Sequence, residues 1–247
     1  MSKIRKTEAS LKYQEKLYFE GLYQEVDSYD AETFQLISNR CKRSKLIIEI
    51  GSGSGAWTAH LTRMGSYVVG LDLSSALVKK MYGRLKSLNC GAVVGDAEFL
   101  PFKDKIADCC FFFFSLHHIP DTSQAIIEAT RCLKDDGRLI MVEPNGLNFT
   151  VTLIAHMISI LRLVNKAGMT SPAERPLNIN KIVRIFPKLG FKCYIFPCYA
   201  TLRKESRAIK PSLKAKIRLL ILKFSAFVFP KLYGASDFIL FAERKTK

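Results

Sequence analysis

Residues 47–55 read Ile-Ile-Glu-Ile-Gly-Ser-Gly-Ser-Gly, and no other stretch constrains the fold of this chain as much. A short apolar run bounded by turn residues is the pattern of a strand buried on both faces of a parallel sheet. Gly51, Gly53 and Gly55 then alternate, and a helical pattern opens at Ala56. Glycines directly after a strand let the backbone turn sharply and approach a ligand, because no Cβ stands in the way. Loop amides and a helix N-terminus then face the bound molecule. Strand, glycine turn and helix in that order predict a nucleotide-like ligand at the carboxyl edge of a parallel sheet. A Gly-rich surface turn would satisfy the loop alone, so the reading needs support from the rest of the chain.

Support comes in register. After a predicted helix over 56–64, residues 67–71 read as a second strand that ends at Asp72. A carboxylate ending the second strand of such a unit accepts hydrogen bonds from ribose hydroxyls. The plainer role for Asp72 is an N-cap of the next helix, for which Ser74 competes. A helix over 75–88 and a short strand over 92–94 follow. They lead into Gly95-Asp96-Ala97-Glu98-Phe99-Leu100-Pro101-Phe102.

Spacing bears on which nucleotide binds. The dinucleotide fingerprint is G-x-G-x-x-G, whereas this chain has G-x-G-x-G, with Glu49 two residues ahead. A carboxylate at that place suits a cationic group and is poorly placed beside a pyrophosphate. S-adenosylmethionine (SAM), with its sulfonium, amino acid head and ribosyl adenine, fits better than a nicotinamide dinucleotide. A nicotinamide oxidoreductase is the weaker reading.

The chain resembles class I SAM-dependent methyltransferases, in the small-molecule group that includes the quinone C-methyltransferases. The resemblance rests on Glu49 through Gly55, Gly70-Leu71-Asp72-Leu73-Ser74, Gly95 through Glu98 and Leu100-Pro101-Phe102. It continues through Asp108, Ser115-Leu116-His117-His118-Ile119, Leu133-Lys134 to Gly137, and Glu143-Pro144. It covers about 46–145, with the motifs in order. It implies that Glu49, Gly51, Ser52, Gly53 and Gly55 hold the methionine part of SAM and that Asp72 takes the ribose. It implies further that Leu73 packs on the adenine, Asp96 and the Ala97 amide receive its edge, and Ser115 lies under the sulfonium. The additional signature stretches of the quinone enzymes are absent, so their substrate does not carry over.

The expected fold is a doubly wound, Rossmann-like α/β sheet of seven strands with a helical N-terminal cap and helical C-terminal insertions. Residues 1–45 form the cap and 46–145 the SAM-binding core. Residues 146–247 complete the sheet and place basic, apolar helices over the acceptor site. Strands are expected at 46–50, 67–71, 92–94, 107–114, 138–143, 191–198 and 237–243, and core helices at 56–64, 75–88 and 121–133. Further helices are expected within 8–42, where a lid over the cofactor competes with plain packing, and over 148–166, 179–188 and 211–229. A polar link at 167–176 separates the first two of these last three.

Charge is divided unevenly. Residues 1–145 carry a net +1 and residues 146–247 a net +15. Residues 203–223 hold eight basic side chains against one acid, with Leu219 to Leu222 and Phe224, Phe227, Val228 and Phe229 among or after them. Basic beside large apolar residues is what an interfacial helix needs, although a helix solvating its lysines reads the same way. Neither apolar helix reaches ~20 uninterrupted apolar residues, so no span is expected. The partners expected are a small, lipophilic acceptor and an anionic membrane surface.

Nucleic acid ranks lower despite the basic charge. Base-amino methyltransferases place an Asn or Asp, two prolines and an aromatic after strand four, where this chain has Ser115-Leu116-His117-His118. Pro197-Cys198 lies too far downstream to be a 5-methylcytosine nucleophile. A non-catalytic SAM-binding scaffold is the remaining alternative.

Seven cysteines, an odd number without a C-x-x-C pair, suit a reducing compartment and suggest neither a disulfide framework nor a metal site. Met1 to Lys6 is charged and no apolar run follows, so no secretory signal is expected. The expectation is a cytoplasmic protein, peripheral at the inner membrane face.

Methyl transfer mainly requires a nucleophile held close and aligned, worth roughly 7–11 kcal/mol. A weakly acidic acceptor also needs a base. His117 is the leading candidate for that role, ahead of His118, because both follow strand four at the mouth of the site. Glu143 is a lesser candidate that equally suits a turn cap. His156 is either a pocket residue or a satisfied core histidine.

Overall fold

A computed structural model describes residues 31–148, 177–198, 220, 223, 235 and 237–245. The expected helices before residue 31, over 148–166 with His156, and over 211–229 lie outside the described residues, apart from Asn148, Leu220 and Lys223. The 167–176 link and most of the basic 203–223 stretch lie outside them as well.

Seven strands form one sheet: β1 (Leu46–Ile50), β2 (Tyr67–Asp72), β3 (Cys90–Val94), β4 (Ala107–Phe113), β5 (Leu133–Pro144), β6 (Phe191–Cys198) and β7 (Asp237–Arg244). Their order is β3-β2-β1-β4-β5-β7-β6. The first five pair in parallel, and β7 joins β5 and β6 antiparallel. Helices α1 (Ala31–Cys41), α2 (Ala56–Thr62), α3 (Ser75–Leu85), α4 (Thr122–Cys132) and α5 (Ile179–Val183) complete the described elements with two turns of 3₁₀ helix, Leu116–His118 and Phe186–Leu189.

Side-chain alternation along the central strands builds two cores. Ile48, Ile50, Cys110, Phe112, Leu139 and Met141 face one way and meet Ala125, Ile126 and Ala129 of α4. Ile47, Cys109, Phe111, Phe113, Ile140 and Val142 face the other way, toward Ile37 of α1 and Trp57 and Leu61 of α2. Burial on both faces is why β1 and β4 read as unbroken apolar runs. A phenylalanine such as Phe111 or Phe112, fully buried here, contributes on the order of 1.5–3 kcal/mol.

The helices expected over 56–64, 75–88 and 179–188 end earlier, at Thr62, Leu85 and Val183, and three strand boundaries differ for reasons of pairing and backbone. β5 begins at Leu133, directly after α4, because a register shift between Ala107 and Cys109 absorbs the Lys134–Gly137 turn into the pairing. Lys134 Nζ donates to Asp108 Oδ1 at 2.7 Å, and a Cβ on Gly137 would lie 3.0 Å from the Ala107 carbonyl. β3 starts at Cys90, where the Tyr67 ring on the neighbouring strand covers Gly91. β4 stops at Phe113, because Phe114 turns into the left-handed region at φ 48°.

Capping explains the helix starts. The Ser74 hydroxyl accepts from Leu77 N, and Asp121 Oδ1 accepts from Gln124 N. Arg131 pins the loop before β4 by donating to the Leu100 and Phe102 carbonyls and to Glu128 and Asp104.

Candidate active site

Five parallel strands bring their carboxyl ends to one edge of the sheet. The order reverses between β1 and β4, the place where open α/β sheets bind ligands. The glycine loop follows β1, Asp72 and Leu73 end β2, Asp96 and Ala97 follow β3, Ser115 and His117 follow β4, and Glu143 lies near the end of β5.

Hydrogen bonds stitch these ends together. Gly51 N and Ser52 N both donate to the Leu71 carbonyl, at 2.7 and 2.9 Å. Gly53 N donates to Asp72 Oδ2 at 2.8 Å, and Ser74 N donates to Asp72 Oδ1 at 2.9 Å. Asp72 thus braces the glycine loop, while Ser74 caps α3. Gly95 N donates to the Asp72 carbonyl at 3.0 Å, which ties β3 to β2. Asp96 Oδ1 accepts from Glu98 N at 2.9 Å and so closes the turn that carries Ala97. The Ser115 hydroxyl donates to the Ile50 carbonyl at 2.7 Å, joining β4 to β1.

The glycine loop needs glycine. Gly51, Gly53 and Gly55 have φ of 75°, 55° and 84°, values that side chains disfavour. A Cβ on Gly51 would fall 2.4 Å from Ser115 Cβ, and one on Gly55 would fall 2.4 Å from the Met81 side chain.

Electrostatics set the two acids of the site apart from surface carboxylates. Glu49 is 2% exposed, and its Oε2 accepts the Thr58 hydroxyl at 2.5 Å. Burial pushes its carboxyl up to about 8, with the nearby Asp72 adding to the shift against the Thr58 bond. Burial also raises Asp72, against the amide bonds that favour its charged form. Glu49 therefore holds its proton well above the ordinary carboxylate range, and a cation beside it would draw the proton off.

Behind Ser115 lies a feature that spacing alone does not announce. Glu143, fully buried, takes Ser115 N at 2.9 Å and Leu116 N at 2.7 Å on Oε1. Its Oε2 lies 2.6 Å from His117 Nδ1. The carboxylate thus caps the turn after β4 and grips the imidazole within it. Adjacency of β4 and β5 carries the signal, since Val142 pairs with Phe113, one residue before Glu143 and two before Ser115. The His118 ring packs 4.0 Å from that of His117. Burial, and His117 after it, hold His118 well below its ordinary range, so it stays neutral.

The parts fit a cationic, non-phosphate cofactor. The amides of Gly51, Ser52, Gly53 and Gly55 all donate within the protein, leaving them no free N–H for a pyrophosphate. The Ser52 hydroxyl is buried without a partner among the described residues. Two acids flank the loop. A profile described as a methyltransferase domain matches residues 48–141.

Over that stretch the chain is similar to a methyltransferase domain.

The demethylmenaquinone methyltransferase of Corynebacterium kroppenstedtii is 34% identical over 149 residues, covering 59% of this chain and 63% of that protein. A ubiquinone/menaquinone biosynthesis C-methyltransferase, UbiE of Pectobacterium carotovorum, is 31% identical over 119 residues, covering 44% of this chain and 47% of its own length. The chain spans less than two thirds of the length of these curated relatives. Among solved structures, the geranyl diphosphate C-methyltransferase of Streptomyces coelicolor aligns with a TM-score of 0.69 at 14% identity, covering 98% of each chain. At that identity the likeness concerns the seven-stranded fold. That structure is a complex with S-adenosyl-L-homocysteine.

Proposed function

We propose that the chain is a SAM-dependent methyltransferase that methylates a small, lipophilic acceptor at an anionic membrane surface. One observation carries the cofactor half of the reading: two buried carboxyls, Glu49 and Asp72, flank a glycine loop in which the Gly51, Ser52, Gly53 and Gly55 amides already donate within the protein. That loop rejects phosphate and accepts a cation.

Glu49, Gly51, Ser52, Gly53 and Gly55 hold the methionine part in this reading. Asp72 accepts from the ribose, and Leu73, Asp96 and Ala97 enclose the adenine. Ser115 lies beneath the sulfonium. When bound, SAM supplies an electrophilic methyl on a good leaving group, so the chain's own work is to place the acceptor and take its proton. His117 is the base. Its Nε2 makes no hydrogen bond among the described residues, and Nδ1 is occupied by Glu143.

Three observations support a lipophilic acceptor near a membrane. The half-buried Phe114 meets the His117 ring edge-on at 6.5 Å, with Phe113 tilted behind it at 4.8 Å. The relatives are named for demethylmenaquinone and geranyl diphosphate. Lys181 of α5, Arg184 after it, Lys188 of the Phe186–Leu189 turn and Lys192 of β6 are exposed, and residues 177–198 contain no acid. Each such cation adds on the order of 1 kcal/mol at an anionic leaflet. No helix among the described residues is long and apolar enough to cross a membrane.

Methyl-labelled SAM is expected to pass label into the organic-soluble fraction of a lipid extract. Transfer should be faster when the extract is carried on vesicles containing phosphatidylglycerol than on phosphatidylcholine alone. Label confined to the aqueous phase would overturn the lipophilic acceptor, and equal rates on both vesicles would overturn the anionic surface.

A further inference from the structure

The buried contacts of Glu143 leave it one chemical task besides holding the turn. Its Oε1 is saturated by the amides of Ser115 and Leu116, and among the described residues its Oε2 bonds only to His117 Nδ1, at 2.6 Å. One proton lies across that 2.6 Å contact, and when Nδ1 carries it the imidazole presents Nε2 as a bare lone pair. We propose that Glu143 is the positioning residue of a His117–Glu143 pair, fixing the Nδ1–H tautomer so that Nε2 takes the proton of the methyl acceptor. This rests on the methyltransferase reading and adds the acceptor's chemistry to it. The acceptor carries an ionisable O–H or N–H, of the phenol or enol class, rather than an unactivated carbon.

Electrons and protons balance. The acceptor's X–H proton moves to His117 Nε2, and the freed electron pair forms the bond to the methyl carbon. In a phenol or enol that pair acts from oxygen, or from the conjugated carbon. The methyl–sulfur bond breaks with its pair remaining on sulfur. The positive charge leaves sulfur and settles on the imidazolium, beside the Glu143 carboxylate.

Three further features agree. His118, packed at 4.0 Å, is held neutral, so no second cation opposes the charge arriving on His117. Phe114, edge-on to the His117 ring, is the other ring against it. Phe114 also sits at φ 48°, strain placed directly before the turn that the Glu143 amide bonds hold in shape.

Tautomers can be read without any acceptor. The protein with ¹⁵N-histidine, observed by long-range ¹H–¹⁵N correlation above pH 7.5, should show a protonated Nδ1 and a bare Nε2 for one ring. His117→Gln should delete that signal. In Glu143→Gln the amide oxygen can keep the Ser115 and Leu116 bonds, but its NH₂ donates to Nδ1 and drives the proton to Nε2. SAM affinity should then hold within a few-fold while transfer falls by roughly 10²-fold or more. An Nε2–H pattern for His117 in the unsubstituted protein, or a pattern unchanged by Glu143→Gln, overturns the pair. The unsubstituted protein alone decides the first point, so a variant that misfolds does not shield the proposal. A protein without SAM binding sinks the methyltransferase reading instead, and the tautomer still judges the pair.

Discussion

Gly51→Ala is expected to abolish SAM binding, by at least ~10²-fold in affinity. Two costs combine. The residue sits at φ 75°, where a Cβ costs roughly 1–2 kcal/mol. The new methyl would also stand 2.4 Å from Ser115 Cβ and 3.0 Å from its hydroxyl. Ser115 cannot yield cheaply, because its hydroxyl is bonded to the Ile50 carbonyl and its amide to Glu143. Any retreat breaks one of those bonds and shifts the turn that carries His117. Gly65→Ala is the matched control. Gly65 has φ 89°, and a Cβ added there would meet nothing within 4 Å, so the variant should lose about 1 kcal/mol of stability and leave SAM affinity alone. Calorimetric titration of both variants, with melting curves, separates strain from the collision at the site.

Glu49 gives the second large effect, in the pH dependence of stability. Its carboxyl is raised to about 8 in the folded protein from an ordinary 4.5. The folded state therefore holds a proton that the unfolded chain has released across that window. Stability falls as pH rises between those values. Asp72, also raised, acts in the same direction. His118 acts oppositely but only below its ordinary 6.5, where the unfolded chain protonates and the folded ring does not. Asp108, Glu128 and Asp135 are lowered and change stability only in acid, below the ordinary carboxylate range. From about pH 6.5 to 8 the two raised acids act together, and the Glu49 share of the loss in the free protein is on the order of 2 kcal/mol. Urea midpoints measured across that window should decline in the unsubstituted protein and less steeply in Glu49→Gln. A decline of equal slope in the variant would show that Glu49 is not the buried acid responsible.

Much of this architecture is legible in the chain because local and global signals agree. Ile47 to Gly55 announces β1, its loop and α2, and the Phe111–Phe113 run announces a strand buried on both faces. Boundaries depart from expectation where tertiary pairing overrides a local turn signal. Lys134-Asp-Asp-Gly137 reads as a loop, yet a bulge against Ala107 and the Lys134–Asp108 ion pair hold it within β5. Phe114 extends an apolar run, yet its left-handed backbone ends β4 and starts the site.

Site residues divide along the same line. The glycines and Asp72 follow from spacing, because the loop and the second strand are close in sequence. Their mutual bond, Gly53 N to Asp72 Oδ2 at 2.8 Å, follows from the pairing of β1 with β2. The grip of Glu143 on Ser115, Leu116 and His117 spans 26 residues or more. Only the pairing of β4 with β5 brings it about. The protonation of Glu49 is not legible in the sequence either, since it depends on how completely α2 and Thr58 bury that carboxyl.

Calorimetric titration of the purified protein with SAM, S-adenosylhomocysteine and NAD tests the central claim most directly. The site predicts micromolar binding of both adenosyl ligands and none of NAD, because the Gly51, Ser52, Gly53 and Gly55 amides donate within the protein and two acids flank the loop. Heat from NAD, or no heat from SAM with a protein whose cooperative melting shows it folded, would contradict it.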